Sequence, residues 1–217
     1  SPDNGRVYVK GASVLQMLRV MLGEEQFWRG IKRYTQDNQN RLVITGDLKR
    51  AMEDASGQNL DWFFQQWVEL PYVPELTIGH HYEEGSLTVT VRQAVSAERP
   101  RYTLPITVEV GTVDGPIRLT AWLEDDAVSL ITALEKPPTY VAFDPDGGVL
   151  ASIDQSQAEG GWIAQLDSPS PFARRAAMSA RAASDQSAAL ARLVAVLRRH
   201  SLERSAAAAA LGAQRSE

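Results

Sequence analysis

The chain has 217 residues, of which 44% are hydrophobic and 23% are charged, so it can fold around a sizeable core. Its formal net charge of −5 argues against a protein whose main partner is nucleic acid or an anionic membrane. The lack of cysteine excludes disulfide bonds and thiolate metal sites. No apolar run is long enough for a membrane helix, so we expect no membrane span and a soluble, bacterial-type protein of the cytoplasm or periplasm.

The first 70 or so residues show helical periodicity. A first predicted helix with one apolar face ends at Gly23. The next predicted helix begins with two acidic residues, Glu24 and Glu25. Thr45 is the predicted N-cap of a further helix, which Gly57 ends. The last helical stretch carries a stripe of large apolar residues at helical spacing, which we interpret as core: Leu60, Phe63, Phe64, Trp67 and Val68.

From Pro71 the apolar period changes to two, which is typical of strands. The alternation is seen at Leu76 and Ile78 and recurs in several later segments. Turn sequences separate these segments, including Asp114-Gly115-Pro116 and the stretch from Asp144 to Gly148. The pattern predicts an antiparallel β-sandwich of six or seven strands.

The last part of the chain is rich in alanine and predicted to be helical. Ser170-Pro171 predicts a helix start, with a capping hydroxyl before proline. Residues 172–180 align with residues 202–210, with a predicted helix between them. Such a pair of repeats is similar to a HEAT-type array that is cut short, and its exposed apolar edge could form a dimer contact.

The predicted fold is therefore a multidomain α+β architecture. Residues 1–73 form a helical segment, residues 74–156 an antiparallel β-sandwich, and residues 157–217 a truncated set of HEAT-like helical repeats. A helical array with so few repeats indicates that the chain is a fragment of a longer protein.

A self-contained active site is not visible in the sequence. His80 and His81 are adjacent on a predicted strand and point to opposite faces, and His200 lies at the end of a predicted helix. Neither a zinc-binding H-E-x-x-H motif nor a nucleotide-binding glycine loop is present. We therefore predict no metal-binding or cofactor-binding residue in this chain.

One stretch near the start, RVYVKGASVLQML from Arg6 to Leu18, raises a question of its own. Tyr8 opens a helix in which Gly11 and Ala12, three and four positions on, leave the adjoining surface without bulk. The ring could simply pack at the helix start as a hydrophobic staple. The alternative is that its hydroxyl is presented to a ligand.

This stretch resembles sequences of the aminopeptidase N family, whose members are zinc aminopeptidases of the gluzincin type. The likeness begins with Tyr8-Val-Lys10-Gly11-Ala12, continues through Leu22-Gly23-Glu24-Glu25, and is strongest over residues 6–78. Further on it includes Trp62-Phe63-Phe64 and Trp67-Val68. One departure is local, because this chain has Pro71-Tyr72-Val73-Pro74 where the family commonly has Pro-Gly-Tyr-Pro.

The resemblance implies a fold, a cofactor and a role for Tyr8. Residues 1–73 would be the helical end of a thermolysin-like catalytic domain. In the family, a glutamate activates a zinc-bound water that attacks the first peptide carbonyl, and the tyrosine in the position of Tyr8 donates a hydrogen bond to the resulting oxyanion. The zinc ligands would lie upstream of this chain, so zinc belongs to the full-length parent and the fragment alone is expected to be inactive.

Three functions remain open at this stage. The first is the trimming of N-terminal residues from peptide substrates by the parent enzyme. The second is a catalytically dead, aminopeptidase-like scaffold for protein–protein interaction. The third is hydrolysis of a substrate other than a peptide, as in an epoxide-hydrolysing branch of the family. Tyr8 fits the first and third functions, whereas the second has no need of a phenol there.

Overall fold

The computed structural model describes residues 3–181, with side chains described for residues 9–180. These residues form six α-helices, one π-helical turn and seven strands. The helices are α1 (Asp3–Leu22), α2 (Glu24–Asp37), α3 (Thr45–Ser56), α4 (Asp61–Phe64), α5 (Glu159–Gln165) and α6 (Pro171–Arg181), and the π-helical turn is Gln65–Glu69. The strands are β1 (Glu75–Glu83), β2 (Ser86–Gln93), β3 (Leu104–Gly111), β4 (Ile117–Leu123), β5 (Ala127–Ala133), β6 (Tyr140–Phe143) and β7 (Ser152–Gln155).

The helix boundaries follow the predicted breaks with one correction. Gly57 ends α3 in the left-handed conformation, with φ of 70°, and its N–H donates to Glu53 O. At the other end of α3, Thr45 is the first helical residue and Ile44 is the N-cap, so the prediction of Thr45 as the cap was wrong by one residue. The reason is that Asp47 Oδ2 accepts the Ile44 N–H at 3.0 Å, which closes the helix start one residue earlier.

The stripe of large apolar residues is core except at its end. Leu60, Phe63, Phe64 and Trp67 are buried, as predicted, but Val68 is 42% exposed. The helix does not continue as a regular α-helix, because α4 passes into the π-helical turn at Gln65. Each residue of a π-helix advances by a smaller angle than in an α-helix, so Gln66 and Trp67 both face inward while Val68 faces out.

The strands form two sheets, with the orders β5-β2-β1-β7 and β4-β3-β6. Neighbouring strands are antiparallel except β1 and β7, which are parallel. This pair departs from the wholly antiparallel pairing predicted from the sequence. The chain reverses tightly between β1 and β2 at Glu84 and Gly85, both with positive φ.

A single cluster of buried apolar side chains connects the helices with both sheets. Leu18 and Trp67 belong to it from the helical part, Val89 from the four-stranded sheet and Val108 from the three-stranded sheet. The Trp67 and Tyr102 rings, 5.2 Å apart between centroids, join the helical part to the segment that leads into β3. The predicted mixture of α and β structure is therefore confirmed.

The C-terminal helices lie against the three-stranded sheet. Ala173 packs with Tyr140 and Ala142 of β6. Ser170 is the helix cap predicted from the sequence, because its Oγ accepts the Ala173 N–H at 3.0 Å and α6 begins at Pro171. The second copy of the repeat, His200 and the edge considered for a dimer contact lie outside the described residues. Within residues 3–181, none of the helices is both long and apolar enough to cross a membrane.

Candidate functional site

The predicted site residue Tyr8 lies in the second turn of α1, in the part of the helix where only the backbone is described. Its helical neighbours at the next turn are described in full. Gly11 and Ala12 are both exposed, and a Cβ placed on Gly11 would have no atom of another residue within 4 Å. The bare surface that the sequence predicts beside Tyr8 is therefore present in the folded protein.

An apolar cavity of about 490 Å³ opens on one side of this surface. From α1 it is lined by Lys10, Gly11, Val14 and Leu15, and the rest of its wall comes from α3, α4 and the π-helical turn. Lys10 Nζ donates a hydrogen bond of 2.8 Å to Leu70 O, just beyond the π-helical turn. The lysine therefore has a structural partner, and its cation lies where a helix C-terminus favours positive charge.

A second cleft, of about 260 Å³, lies on the other side of the same helix. Ala12 and Gln16 of α1 face the loop between β6 and β7 and the ring of Phe172 from α6 across it. Gln16 Nε2 donates to Asp146 O of this loop at 3.1 Å. The helix that carries Tyr8 is thus in direct contact with the β part of the protein.

The loop from Asp144 to Gly148 is a compact turn, as its sequence predicts. Asp144 has a positive φ of 50°, and its two carboxylate oxygens accept the N–H groups of Gly148 at 2.7 Å and Val149 at 3.0 Å. Burial raises the pKa of Asp144 to about 6, against the opposing effect of these two hydrogen bonds and with a smaller contribution from the Asp146 charge.

One buried charged residue could not be recognised from the sequence. Glu109 is 1% exposed, although the alternation along β3 directs it away from the core between the sheets. Its Oε1 accepts hydrogen bonds from Tyr140 Oη at 2.9 Å and from Ser168 Oγ. Burial, followed by the bond to Glu109, raises the pKa of Tyr140 to about 12. The cluster ties the turn before α6 to the three-stranded sheet, and we assign it a structural role.

The described part of the chain does not bring metal ligands together. His80 and His81 both lie on β1, and His81 Nε2 is 3.3 Å from Glu83 Oε2. Between residues 3 and 181, histidine, aspartate and glutamate side chains form no group of three or more that could hold a metal ion. A zinc ion of the kind that the family resemblance implies therefore finds no fitting donor set among these residues.

Comparison with protein families finds a match to the helical N-terminal part of the chain. Residues 4–67 match the peptidase family M1 domain. The matched segment runs from the start of α1 into the π-helical turn, so it includes Tyr8 and all residues that line the larger cavity except Val68.

Curated relatives include bacterial proteins named aminopeptidase N. The chain is 37% identical to aminopeptidase N of Haemophilus influenzae over 94 residues, which is 43% of this chain and 10% of that protein. It is 30% identical to aminopeptidase N of Escherichia coli over 118 residues, which is 51% of this chain and 13% of that protein. The chain thus spans only about a tenth to an eighth of the length of these relatives.

The fold also has a counterpart among solved structures. The crystal structure of Legionella pneumophila aminopeptidase A in complex with aspartic acid superposes with a TM-score of 0.71, over 93% of this chain and 25% of that one. At 16% identity this similarity concerns the fold alone. The chain is thus similar to part of the M1-family aminopeptidases, and the match to the peptidase family M1 domain covers residues 4–67.

Proposed function

We propose that this chain is the C-terminal portion of a zinc-dependent aminopeptidase that removes N-terminal residues from peptides, and that Tyr8 is its contribution to the catalytic centre. The observation that carries the proposal is the M1 match over residues 4–67, which contains Tyr8. The exposed surface at Gly11 and Ala12 supports it, because a substrate backbone or a close neighbouring segment could lie there beside the phenol.

The chemistry assigned to Tyr8 is electrostatic. When the first peptide carbonyl of a substrate is attacked, negative charge develops on its oxygen, and a preorganised hydroxyl can donate a hydrogen bond to that oxygen. A tyrosine is suited to this task because its hydroxyl stays protonated at neutral pH and its ring needs few rotations to be fixed. Losing one such donor typically lowers the rate by about 10²–10³-fold.

The zinc would be bound outside the described residues, which supply no ligand set for it. We therefore propose that the chain on its own has neither a catalytic zinc site nor peptidase activity. Titration of this chain with zinc in a calorimeter should show no tight one-to-one binding. Tight stoichiometric binding would contradict this part of the proposal.

The decisive experiment substitutes Tyr8 in the longest natural polypeptide that contains this chain. Tyr8→Phe should lower kcat on an aminoacyl-arylamide by about 10²–10³-fold and leave zinc content unchanged. Tyr34→Phe makes the same chemical change on α2 and serves as the matched control, with kcat expected to stay within about twofold of wild type. Undiminished turnover by Tyr8→Phe would refute the assignment.

Two alternatives give different results in the same polypeptide. An inactive scaffold would turn over no aminoacyl-arylamide even in its unsubstituted form. An enzyme that hydrolyses another kind of substrate would also fail with the arylamide but would open an epoxide, and Tyr8→Phe would diminish that activity.

The finer architecture is part of the same proposal. We infer that the two sheets form a β-sandwich domain over residues 74–156, and that α5 and α6 belong to a separate, HEAT-like segment that begins at residue 157. The burial of Val89 and Val108 from different sheets in one apolar cluster supports the sandwich. Limited proteolysis should then cut first near residues 71–74 and 156–158, and early cuts inside β2 or β3 would contradict this division.

A further inference from the structure

Two side chains of the helix that carries Tyr8 donate hydrogen bonds to backbone carbonyl groups elsewhere in the protein. Lys10, two residues after Tyr8, donates from Nζ to Leu70 O at 2.8 Å. Gln16, eight residues after Tyr8, donates from Nε2 to Asp146 O at 3.1 Å. By contrast, Ser13 on the same helix donates to Val9 O and so makes a bond within α1.

The two receiving carbonyl groups belong to well-connected backbone. Leu70 follows the π-helical turn, where the Gln66 amide both donates to Thr103 O at 3.0 Å and accepts the Thr103 N–H at 2.8 Å. The turn is therefore attached to the segment that leads into β3. A movement of α1 that carried the Leu70 carbonyl along would therefore strain the bonds between Gln66 and Thr103.

The loop that receives Gln16 is held from three directions. Asp144 accepts two backbone N–H groups within the loop, and Arg118 of β4 forms an ion pair with Asp146 at 3.0 Å. Ser170, the cap of α6, donates to Pro145 O. On the other side, a Cβ at Gly148 would lie 2.8 Å from Val20 of α1, so helix and loop are in close contact.

The positions of the two donors determine what they constrain. Six residues apart on a helix with about 3.6 residues per turn, Lys10 and Gln16 leave the axis in directions about 120° apart. The buried face of α1 already packs into the core, and the two bonds add constraints in different directions on rotation and sliding of the helix. The exposed surface at Gly11 and Ala12 is the side of α1 that these bonds leave open.

We propose that Lys10 and Gln16 are positioning residues, which hold the α1 backbone in the orientation that presents Tyr8 to the substrate. The inference rests on the proposed function of Tyr8. It assigns to the β6–β7 loop, through Asp146 O, a part in setting the geometry of the catalytic centre.

The first test separates positioning from general stability in the longest natural polypeptide that contains this chain. Gln16→Met keeps the length of the side chain, Lys10→Met shortens it by one atom, and both remove the donor. Each should lower kcat by about 10- to 100-fold, with KM and zinc content within about twofold of wild type. Lys10→Arg and Gln16→Lys restore a donor and should recover most of the loss, whereas Ser13→Ala, which removes a bond within α1, should leave kcat unchanged.

A double-mutant cycle distinguishes failure of this inference from failure of the proposed function. If Lys10 and Gln16 act through Tyr8, Lys10→Met and Gln16→Met should lower kcat by less than about twofold in a Tyr8→Phe background. Full additivity would overturn the inference and leave Tyr8 as a catalytic residue. Unchanged kcat in Tyr8→Phe itself would overturn the proposed function instead.

A measurement without catalysis completes the test in this chain. Hydrogen exchange should show faster exchange of the α1 amides in Gln16→Met than in wild type, while the amides of β2 and β3 stay protected. Gln16→Glu, which keeps the shape but places an acceptor against Asp146 O, should have at least the same effect. Unchanged α1 exchange in both variants would overturn the inference.

Discussion

Gly30 of α2 lies against Met52 of α3 so closely that a Cβ at Gly30 would be 2.5 Å from Met52 Sδ and 3.3 Å from Met52 Cα. Met52 is fully buried, so its side chain is enclosed by other residues and cannot turn out into solvent. The lack of a side chain at Gly30 therefore allows α2 and α3 to pack at close range. Two predictions follow from comparing this glycine with Gly11.

Gly30→Ala should destabilise the protein even though alanine is the better helix former. Overpacking against Met52 and the neighbouring backbone should lower the free energy of unfolding by about 1–3 kcal/mol, which exceeds the gain in helix propensity. Urea unfolding followed by circular dichroism measures the change. A variant as stable as wild type would show that α2 and α3 can separate at little cost.

Gly11→Ala should have the opposite effect on stability. Nothing surrounds a Cβ at this position, so the substitution should raise the free energy of unfolding by about 0.5–1 kcal/mol. Activity of the longer polypeptide should nevertheless fall, because the proposed function places a substrate or neighbouring segment beside Gly11. Gly30→Ala, measured in the same unfolding series, is the comparison for the change in stability. If Gly11→Ala raised both the free energy of unfolding and kcat/KM, the surface at Gly11 would not be in contact with a substrate or neighbouring segment.

Glu109→Ala should be among the more destabilising substitutions in the β part of the protein. It would leave the hydroxyls of Tyr140 and Ser168 buried without their acceptor, at a cost of about 1–3 kcal/mol. Glu98→Ala, on an exposed position, is the matched control and should change the free energy of unfolding by less than about 0.5 kcal/mol. Equal effects of the two substitutions would argue against a structural role for the Glu109 cluster.

Asp144 should give the protein a distinctive pH dependence of stability. Because its pKa in the folded state is raised to about 6, the folded protein holds the proton more tightly than the unfolded chain. The free energy of unfolding should therefore fall as pH rises through the window between the ordinary aspartate pKa and about 6. From about pH 5 to about pH 7.5 the contribution of Asp144 is a loss of about 1 kcal/mol.

The measurement is urea unfolding of wild type and Asp144→Asn at these two pH values. Asparagine tolerates the left-handed backbone conformation and carries no charge. The Asp144→Asn variant should therefore not show the Asp144-dependent fall in the free energy of unfolding between the two pH values. Asp114→Asn, in the exposed turn before β4, is the control and should keep the wild-type dependence. An unchanged pH dependence in Asp144→Asn would show that this carboxylate does not titrate in the window.

The sequence alone determined those features that depend on local backbone chemistry and on periodicity. Glycine in the left-handed conformation ends α3 at Gly57, and the hydroxyl of Ser170 before Pro171 begins α6, in both cases because neighbouring atoms supply the hydrogen bonds. The motif around Tyr8 was sufficient to identify the aminopeptidase relationship, which the M1 match confirms. The role of Tyr8 itself remains a proposal.

Only the tertiary structure decided features that depend on segments distant in the sequence. The alternation along β3 predicts that Glu109 faces outward. It is nevertheless buried, because the turn before α6 covers that side of the sheet. The helical spacing predicts that Val68 is a core residue. It faces outward, because the π-helical turn changes the helical phase. The contact of Gln16 with Asp146 spans 130 residues. No periodicity encodes such a pairing, since it depends on where the folded sheets place their loops relative to α1.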